Sequence, residues 1–154
     1  MTARSKARAQ APQPDGLALG DLPERIGYAL RRAQIAVFQD FVQTMAELDV
    51  RPGHYSVLLL IALNPGASQT ALGDALGIKP ANLAVMLNAL QARGLVRRAR
   101  DATDRRAHAL HLTPPGKALL RALNARVADH ERRQVARLGA ADKRHLLALL
   151  EKLA

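Results

Sequence analysis

The segment "SQTALGDALGIKPANLAVMLNALQARGLV", residues 68–96, carries the local signals that decide the fold. Ser68 is a good cap for a short first helix, and Gly77 lets the chain leave that helix. Pro80 suits the first turn of a second helix, which Gly94 ends. Two short helices joined by a tight turn that contains glycine predict a helix-turn-helix, a motif whose second helix enters the major groove of duplex DNA.

An arginine-rich stretch, "RRARDATDRRAH", follows directly at residues 97–108. The segments on either side of its centre, "LVRRAR" and "RAHALHLT", are two short strand candidates; in the second, Leu110 and Leu112 alternate with Ala109 and His111, as in a half-exposed strand. The pattern predicts a hairpin whose tip, residues 101–106, projects from the domain and presents arginines.

The flanking segments have helical periodicity. Apolar residues repeat at steps of three and four from Asp21 to Leu48, which predicts one amphipathic helix of about seven turns. A second helix is expected to begin near Pro52, and its nearly continuous apolar run, residues 57–63, predicts burial on all sides.

Two further helices are predicted after the hairpin. Thr113 precedes a long helix that Gly139 breaks, and a short final helix follows. The final helix carries an apolar seam formed by Leu146, Leu149, Leu150 and Leu153. The expected fold class is therefore mostly α with a small β-hairpin wing.

Composition narrows the function classes. The chain has 154 residues, a formal net charge of +10 and 3% aromatic residues, which favours one mainly helical domain with a polyanionic partner. It has no cysteine, which excludes disulfides, thiol nucleophiles and cysteine-based zinc sites. No apolar run of membrane-spanning length and no secretory signal is found, so we expect a cytoplasmic protein and no membrane partner.

No enzymatic site is predicted. The sequence contains no nucleophile-elbow, phosphate-loop or dinucleotide motif, and we assign no catalytic residue, metal or cofactor. Surface or structural roles are expected for the five histidines. The acidic residues of the helices, Glu24, Asp40, Glu47, Asp129, Glu131 and Glu151, mostly lie beside basic ones, as on solvated faces.

Residues 21–154 resemble the MarR family, the multiple-antibiotic-resistance type of winged helix-turn-helix regulator. The resemblance is carried by the quoted helix-turn-helix with "GLV" at its end, the Asp104-Arg105-Arg106 wing, and the exit "LTPPG" at residues 112–116. It implies a homodimer, built from the N- and C-terminal helices, that binds a pseudo-palindromic operator. It also implies repression that a small aromatic, phenolic or other anionic ligand relieves.

The resemblance divides the chain into three parts. Residues 1–18 are expected to form a mobile basic arm, residues 19–49 and 116–154 a helical dimerisation region, and residues 50–115 the DNA-binding domain. In the family's wing pattern the aspartate, here Asp104, braces the tip, and the second arginine, Arg106, enters the minor groove.

Candidate DNA-binding residues lie on three segments. The start of the first helix of the helix-turn-helix suits a phosphate, although a capping role for Ser68 is the simpler alternative. The start of the second helix suits base edges. The wing arginines suit phosphates and the minor groove. The set is Ser68, Gln69, Thr70, Lys79, Ala81, Asn82, Ala84, Val85, Arg97, Arg98, Arg105 and Arg106.

An effector pocket is harder to place, because pocket linings are scattered along a sequence. The family's pocket has walls in the first two helices, where all four aromatic residues of this chain lie. The residues assigned to it are Tyr28, Phe38, Arg51, His54 and Tyr55, and a role for Phe38 in the dimer core is the alternative.

Two other functions remain open at this point. One is a winged-helix module that binds RNA or an acidic protein without sequence-specific DNA recognition. The other is attachment to a membrane surface through the basic arm and first helix, which fits poorly because that helix contains Glu24, Asp40 and Glu47 and no lysine.

Overall fold

A computed structural model describes residues 17–100 and 108–153 of the chain. Contacts divide the chain into two units, residues 1–35 and residues 36–154. The described residues contain six α-helices and one antiparallel hairpin, which confirms the expected fold class. The elements are α1 (Ile26–Thr44), α2 (Pro52–Leu63), α3 (Gln69–Leu76), α4 (Pro80–Ala92), β1 (Val96–Arg100), β2 (His108–Leu112), α5 (Pro114–Leu138) and α6 (Ala140–Glu151).

Local capping signals place most helix ends where the sequence predicts them. The Ser68 hydroxyl accepts a hydrogen bond from the backbone N–H of Ala71 at 3.1 Å, and the Thr113 hydroxyl accepts one from that of Gly116 at 3.1 Å. Gly77, with φ of 61°, lets the chain leave α3 in a left-handed conformation that glycine adopts without strain.

The first helix is shorter than predicted. Residues 22–24 form a separate 3-10 turn, and Arg25 is extended (φ −82°, ψ 129°), so α1 begins only at Ile26. At the other end α1 stops at Thr44, and the chain turns through a 3-10 helix, Ala46–Leu48. The prediction of one unbroken helix from Asp21 to Leu48 is therefore wrong. Met45 and Val50, on either side of this turn, are both buried in the core, so packing favours the turn over a continued helix.

The second helix is not buried on all sides, which corrects another prediction. Val57, Leu58 and Ile61 are buried, whereas Leu63 is 67% exposed. The uniform apolar sequence of α2 cannot reveal which face is covered; α5 and β2 pack against it and cover part of its circumference.

The core of residues 36–154 joins all of these elements except α6. Its members come from the end of α1, the inner faces of α2, α3 and α4, the base of the hairpin and the first half of α5. They are Phe41, Met45, Val50, Val57, Leu58, Ile61, Leu72, Leu83, Leu87, Leu90, Leu95, Val96, Leu110, Leu112, Leu120 and Leu123.

Backbone hydrogen bonds fix the base of the hairpin on this core. The Leu110 N–H donates to the carbonyl of Ala67 at 3.0 Å, and the Gly66 N–H donates to the carbonyl of Leu110 at 2.9 Å. Just before β1, the N–H of Leu95 donates to the carbonyl of Leu90 in α4 at 3.0 Å. The hairpin is therefore held on both sides before it extends toward residues 101–107, which lie outside the described part of the chain.

Candidate nucleic-acid interface

The turn between α3 and α4 sets the angle of the helix-turn-helix. The N–H of Ile78 donates to the carbonyl of Gly73 at 2.9 Å, across the left-handed Gly77. A side chain at Gly73 would come within 3.1 Å of the Ile78 carbonyl oxygen, so the absence of one permits this close approach. The two helices are joined as the sequence predicts.

The fourth helix has an inner and an outer face. Leu83, Leu87 and Leu90 are buried in the core. Of the predicted recognition residues, Ala84 is half-buried and the other four are exposed: Lys79, Ala81, Asn82 and Val85. Val85 is 69% exposed.

The predicted phosphate-contacting residues lie at the start of α3. Thr70 is exposed, and Ser68 and Gln69 are half-buried. The hydroxyl of Ser68 already caps α3, which leaves its second lone pair and its O–H for another partner.

The register of the hairpin separates the two described wing arginines. Arg97 lies opposite His111 and Arg98 opposite Leu110. Because successive side chains of a strand point to opposite faces, Arg97 lies on the outer face and Arg98 on the inner face, with the buried Val96. Arg97 is exposed, whereas Arg98 donates from Nη1 to Asn88 Oδ1 at 2.8 Å and to Gln91 Oε1 at 3.1 Å.

The wing tip lies outside the described residues. This part of the chain includes Asp104, Arg105 and Arg106, so the predicted brace and minor-groove contact stay predictions.

The start of α2 brings three of the five predicted effector residues together. Arg51 occupies the N-cap position without a side-chain cap and is exposed, and His54 and Tyr55 in the first turn are half-buried. Of these, Tyr55 packs against Phe41, with ring centroids 6.1 Å apart, and its hydroxyl donates to Asn124 Oδ1 at 3.2 Å. Phe38 is 46% exposed on α1, and Tyr28 is half-buried in the first unit, residues 1–35.

His54 stands out in this group. Its Nδ1 is buried, and among the described residues it has no hydrogen-bond partner. Burial, followed by the positive charges of Arg93 and Arg51, lowers the pKa of His54, which favours the neutral imidazole. Burial raises the pKa of Tyr55, which favours the neutral phenol. Within residues 17–100 and 108–153, the group therefore offers an unpartnered imidazole nitrogen close to the guanidinium of Arg51.

Arg93 connects this region to the end of the fourth helix. Its Nη1 donates to the carbonyl of Asp49 at 2.7 Å and its Nη2 to that of Leu48 at 3.2 Å. Asp49 has a φ of 47°, in the left-handed region. The guanidinium thus satisfies two carbonyls of the turn that precedes α2, which ties that turn to the end of α4.

The prediction that Asp40 lies on a solvated face is wrong. Its side chain is only 17% exposed and accepts hydrogen bonds from His130 Nδ1 at 2.5 Å, Arg133 Nη2 at 3.1 Å and Gln134 Nε2 at 3.1 Å. The hydrogen bond from Arg133 is the main reason that the pKa of Asp40 is lowered, and burial opposes it. His130 is buried, as expected for a structural histidine.

The available signal for this network was its spacing. His130, Arg133 and Gln134 lie on one side of a helix, as do Asp40 and Thr44 on another. Such polar groups beside apolar residues indicate a contact only once the two helices are known to face each other.

Neither a metal site nor a membrane span is found in the described parts of the chain. Residues 17–100 and 108–153 hold no group of three or more metal-ligating side chains. No helix in the same ranges has the length and apolar character needed to cross a bilayer.

Two helices, α3 and α4, joined by a tight turn at Gly77 and followed by a basic hairpin, define a winged helix-turn-helix. A MarR-family model matches residues 48–107. The chain is 38% identical to a protein from Thauera aromatica named putative transcriptional regulatory protein for hcr operon, over 87% of this chain and 81% of that one.

Solved structures agree. The transcriptional repressor CouR bound to a 23-mer DNA duplex superposes with a TM-score of 0.84 and 43% identity, over 90% of this chain and 99% of that one. CouR bound to p-coumaroyl-CoA superposes with a TM-score of 0.83 and 41% identity, over 89% of this chain and 96% of that one. The chain belongs to the MarR family: it is a DNA-binding transcriptional regulator and not an enzyme.

Proposed function

We propose that this protein is a cytoplasmic, ligand-released repressor that binds a pseudo-palindromic operator as a homodimer. The observation that carries the proposal is the outer face of α4, where Val85 is 69% exposed beside exposed Lys79 and Asn82. An apolar side chain on such a face suits the methyl group of thymine, and an asparagine suits an adenine edge. The names of the relatives do not favour the alternative of an RNA- or protein-binding module.

Each predicted DNA contact has a distinct role in this proposal. Lys79, Ala81, Asn82, Ala84 and Val85 face the major groove. Ser68, Gln69 and Thr70 hold a phosphate at the start of α3, where backbone N–H groups add donors. Arg97 acts at the wing strand, where its neighbour Arg98 is hydrogen-bonded to α4, while Arg105 and Arg106, braced by Asp104, act at the tip.

The predicted domain organisation fits the same proposal. Residues 50–115 bind DNA, and residues 19–49 and 116–154 form the dimer, with the basic arm, residues 1–18, outside both. Three leucines of α6 and one just after it are exposed in the single chain, and a second subunit would cover them: Leu146, Leu147, Leu149 and Leu153. Two recognition helices would then lie about 34 Å apart, one turn of DNA.

The effector site of the proposal is the group at the start of α2. The guanidinium of Arg51 suits an anion, and Nδ1 of His54, which has no partner in the part of the chain that the structure describes, suits a phenol or carboxyl group. Tyr55 and Phe38 supply aromatic surface, and the prediction from the sequence also assigns Tyr28, in the first unit, to this role. Since CouR binds p-coumaroyl-CoA, we propose an aromatic acyl thioester or aromatic acid as the effector class.

The wing assignment is tested by Arg106→Ala. A guanidinium suits the concentrated negative potential of a narrow minor groove, so we expect operator affinity to fall at least about tenfold without loss of dimer. The operator is first obtained by selecting bound fragments from the genomic DNA of the source organism, and affinity is then measured by fluorescence anisotropy.

The matched control is Arg132→Ala, which removes the same charge from an exposed site on α5. Arg132 lies about 27 Å along the helix axis from Pro114, given a rise of 1.5 Å per residue. The Arg132→Ala variant should therefore bind the operator with the affinity of the unsubstituted protein. Equal affinity of the Arg106 and Arg132 variants would contradict the wing assignment.

The effector class is tested with p-coumaroyl-CoA as the probe. Added to the protein–operator complex, it should lower the anisotropy of the labelled DNA, because a ligand that binds the free form better shifts the population toward it. Coenzyme A alone, which lacks the aromatic group, is the control. An unchanged signal at saturating thioester would remove this class of effector.

A further inference from the structure

The position of Arg98 on the hairpin is unusual for a charged residue. It lies on the face that also carries Val96, Leu110 and Leu112, all of which are buried. Arg98 itself is half-buried. A half-buried guanidinium on this face loses part of its hydration, and hydrogen-bond partners compensate for that loss.

The fourth helix supplies these partners. Asn88 and Gln91 are three residues apart and therefore lie on the same side of α4. Both present an amide oxygen to one nitrogen of Arg98, at 2.8 and 3.1 Å. The terminal nitrogens of a guanidinium each carry two hydrogens, so a single Nη1 can serve both acceptors. Since the donor is charged, these are stronger hydrogen bonds than neutral ones.

These bonds extend the attachment of the wing beyond its base. Val96 and Leu95 hold the start of β1 on the core, and the next inward-facing position is Arg98. A two-stranded hairpin is only marginally stable by itself and twists readily. A link from Arg98 to α4 therefore limits how far the wing can rotate against the recognition helix.

We propose that Arg98 is a positioning residue that fixes the wing at a set distance from α4, and that Asn88 and Gln91 are its anchors. Its contribution to operator binding is the preorganisation of two DNA-contacting elements, in place of a direct contact of its own. The proposal rests on the proposed function. It also separates Arg98 from its neighbour Arg97, which is exposed on the outer face and suits a phosphate.

The main test substitutes the two anchors, which leaves every positive charge in place. Asn88→Ala with Gln91→Ala should weaken operator binding about tenfold, the loss expected for charge-assisted hydrogen bonds. Arg98→Ala should do the same, and adding it to the double variant should cost little more, because all three residues form one unit. The slope of log affinity against log salt should stay unchanged in the Asn88/Gln91 variant.

Arg97→Ala is the matched control for charge. It should weaken binding additively with the Asn88/Gln91 changes and reduce the salt slope by about 2 per dimer, because about 0.9 ion is released per phosphate. Thermal unfolding of the free proteins should be nearly unchanged for all of these exposed or half-exposed sites, which separates positioning of the wing from a general loss of stability.

Two outcomes would overturn the proposal: full operator affinity in the Asn88/Gln91 variant, or additive effects of Arg98→Ala and the Asn88/Gln91 changes. The second outcome would mean that these residues contact DNA independently. Both differ from failure of the proposed function, in which the unsubstituted protein itself would show no preference for any duplex sequence.

Discussion

Asp40 is the residue through which the end of α1 is fixed to α5. It accepts hydrogen bonds from His130, Arg133 and Gln134, and Phe41 beside it packs its ring edge-on to His130 with centroids 5.5 Å apart. Arg126 adds a hydrogen bond to the carbonyl of Thr44 at 3.3 Å. A carboxylate with this many donors stabilises the fold mainly while it is ionised.

Replacement of Asp40 by Asn should therefore lower the free energy of unfolding at pH 7 by about 1–3 kcal/mol, the cost of leaving charged donors without their acceptor. The lowered pKa of Asp40 also sets a pH dependence. Its stabilising effect is fully present above the unfolded-state pKa of about 3.9 and is lost as pH falls through the lower folded-state pKa. Urea unfolding between pH 7 and pH 3 measures both effects.

Asp129→Asn provides the control for this prediction, because Asp129 pairs with Arg132 at a site where both side chains are at least half exposed. Such surface pairs contribute little, so we expect a change within about 0.5 kcal/mol and no altered acid limb. If Asp40→Asn behaved like Asp129→Asn, the hydrogen bonds to α5 would have no role in stability.

Single residues also mark the limit of sequence reasoning at the site. The outward position of Lys79, Asn82 and Val85 follows from helical periodicity alone, since the core leucines of α4 fix the opposite face. The opposite faces of Arg97 and Arg98 depend on the register of β1 and β2, which places one beside His111 and the other beside α4. Tertiary contacts of this kind have no local signal.

Gly116 controls how closely α5 approaches the base of the hairpin. It is buried in the first turn of the helix, and a Cβ atom at this position would overlap the backbone carbonyl oxygen of Leu95. That oxygen already accepts hydrogen bonds from the N–H of Thr113 at 3.1 Å and from its hydroxyl at 3.2 Å. The overlap involves backbone on one side and cannot be relieved by a rotamer change.

We therefore expect Gly116→Ala to lower the free energy of unfolding by about 3 kcal/mol, near the upper end of the usual cost of overpacking. Guanidinium chloride unfolding followed by circular dichroism measures this change. In Gly27→Ala, the added methyl group in α1 would meet nothing within 4 Å. This control should be neutral or stabilising by up to about 1 kcal/mol, because alanine favours a helix. If Gly116→Ala left the free energy of unfolding unchanged, α5 and the base of the hairpin would be able to move apart without cost.

Elements with strong end signals could be predicted from the sequence, and those without them could not. Ser68, Gly77, Pro80 and Thr113 each act locally, and the helices that they begin or end lie where expected. The break at Arg25 and the end of α1 at Thr44 have no such signal. The latter accompanies the burial of Met45 and Val50, and burial of this kind depends on the tertiary structure.

The whole molecule combines a formal net charge of +10 with a DNA-binding domain, so electrostatics should dominate its affinity for DNA. Two exposed cations among the described residues are Lys79, assigned to the major groove, and Arg97, which suits a phosphate. The Asn88–Gln91–Arg98 group adds no contact of its own in our proposal. Its effect on the whole molecule is to fix the wing relative to α4, so that the cations of both elements keep a set spacing.

The dominance of electrostatics predicts how the affinity for DNA depends on salt concentration. If each subunit of a dimer neutralises about four phosphates, log affinity should fall against log salt with a slope near −7, because about 0.9 ion is released per phosphate. Anisotropy titrations of the operator from about 50 to 200 mM salt cover the useful range. A DNA fragment with one half-site should give a slope of about half this size, because only one subunit contacts its phosphates fully. A nearly flat response, or equal slopes for one and two half-sites, would contradict binding by a symmetric pair of winged helices.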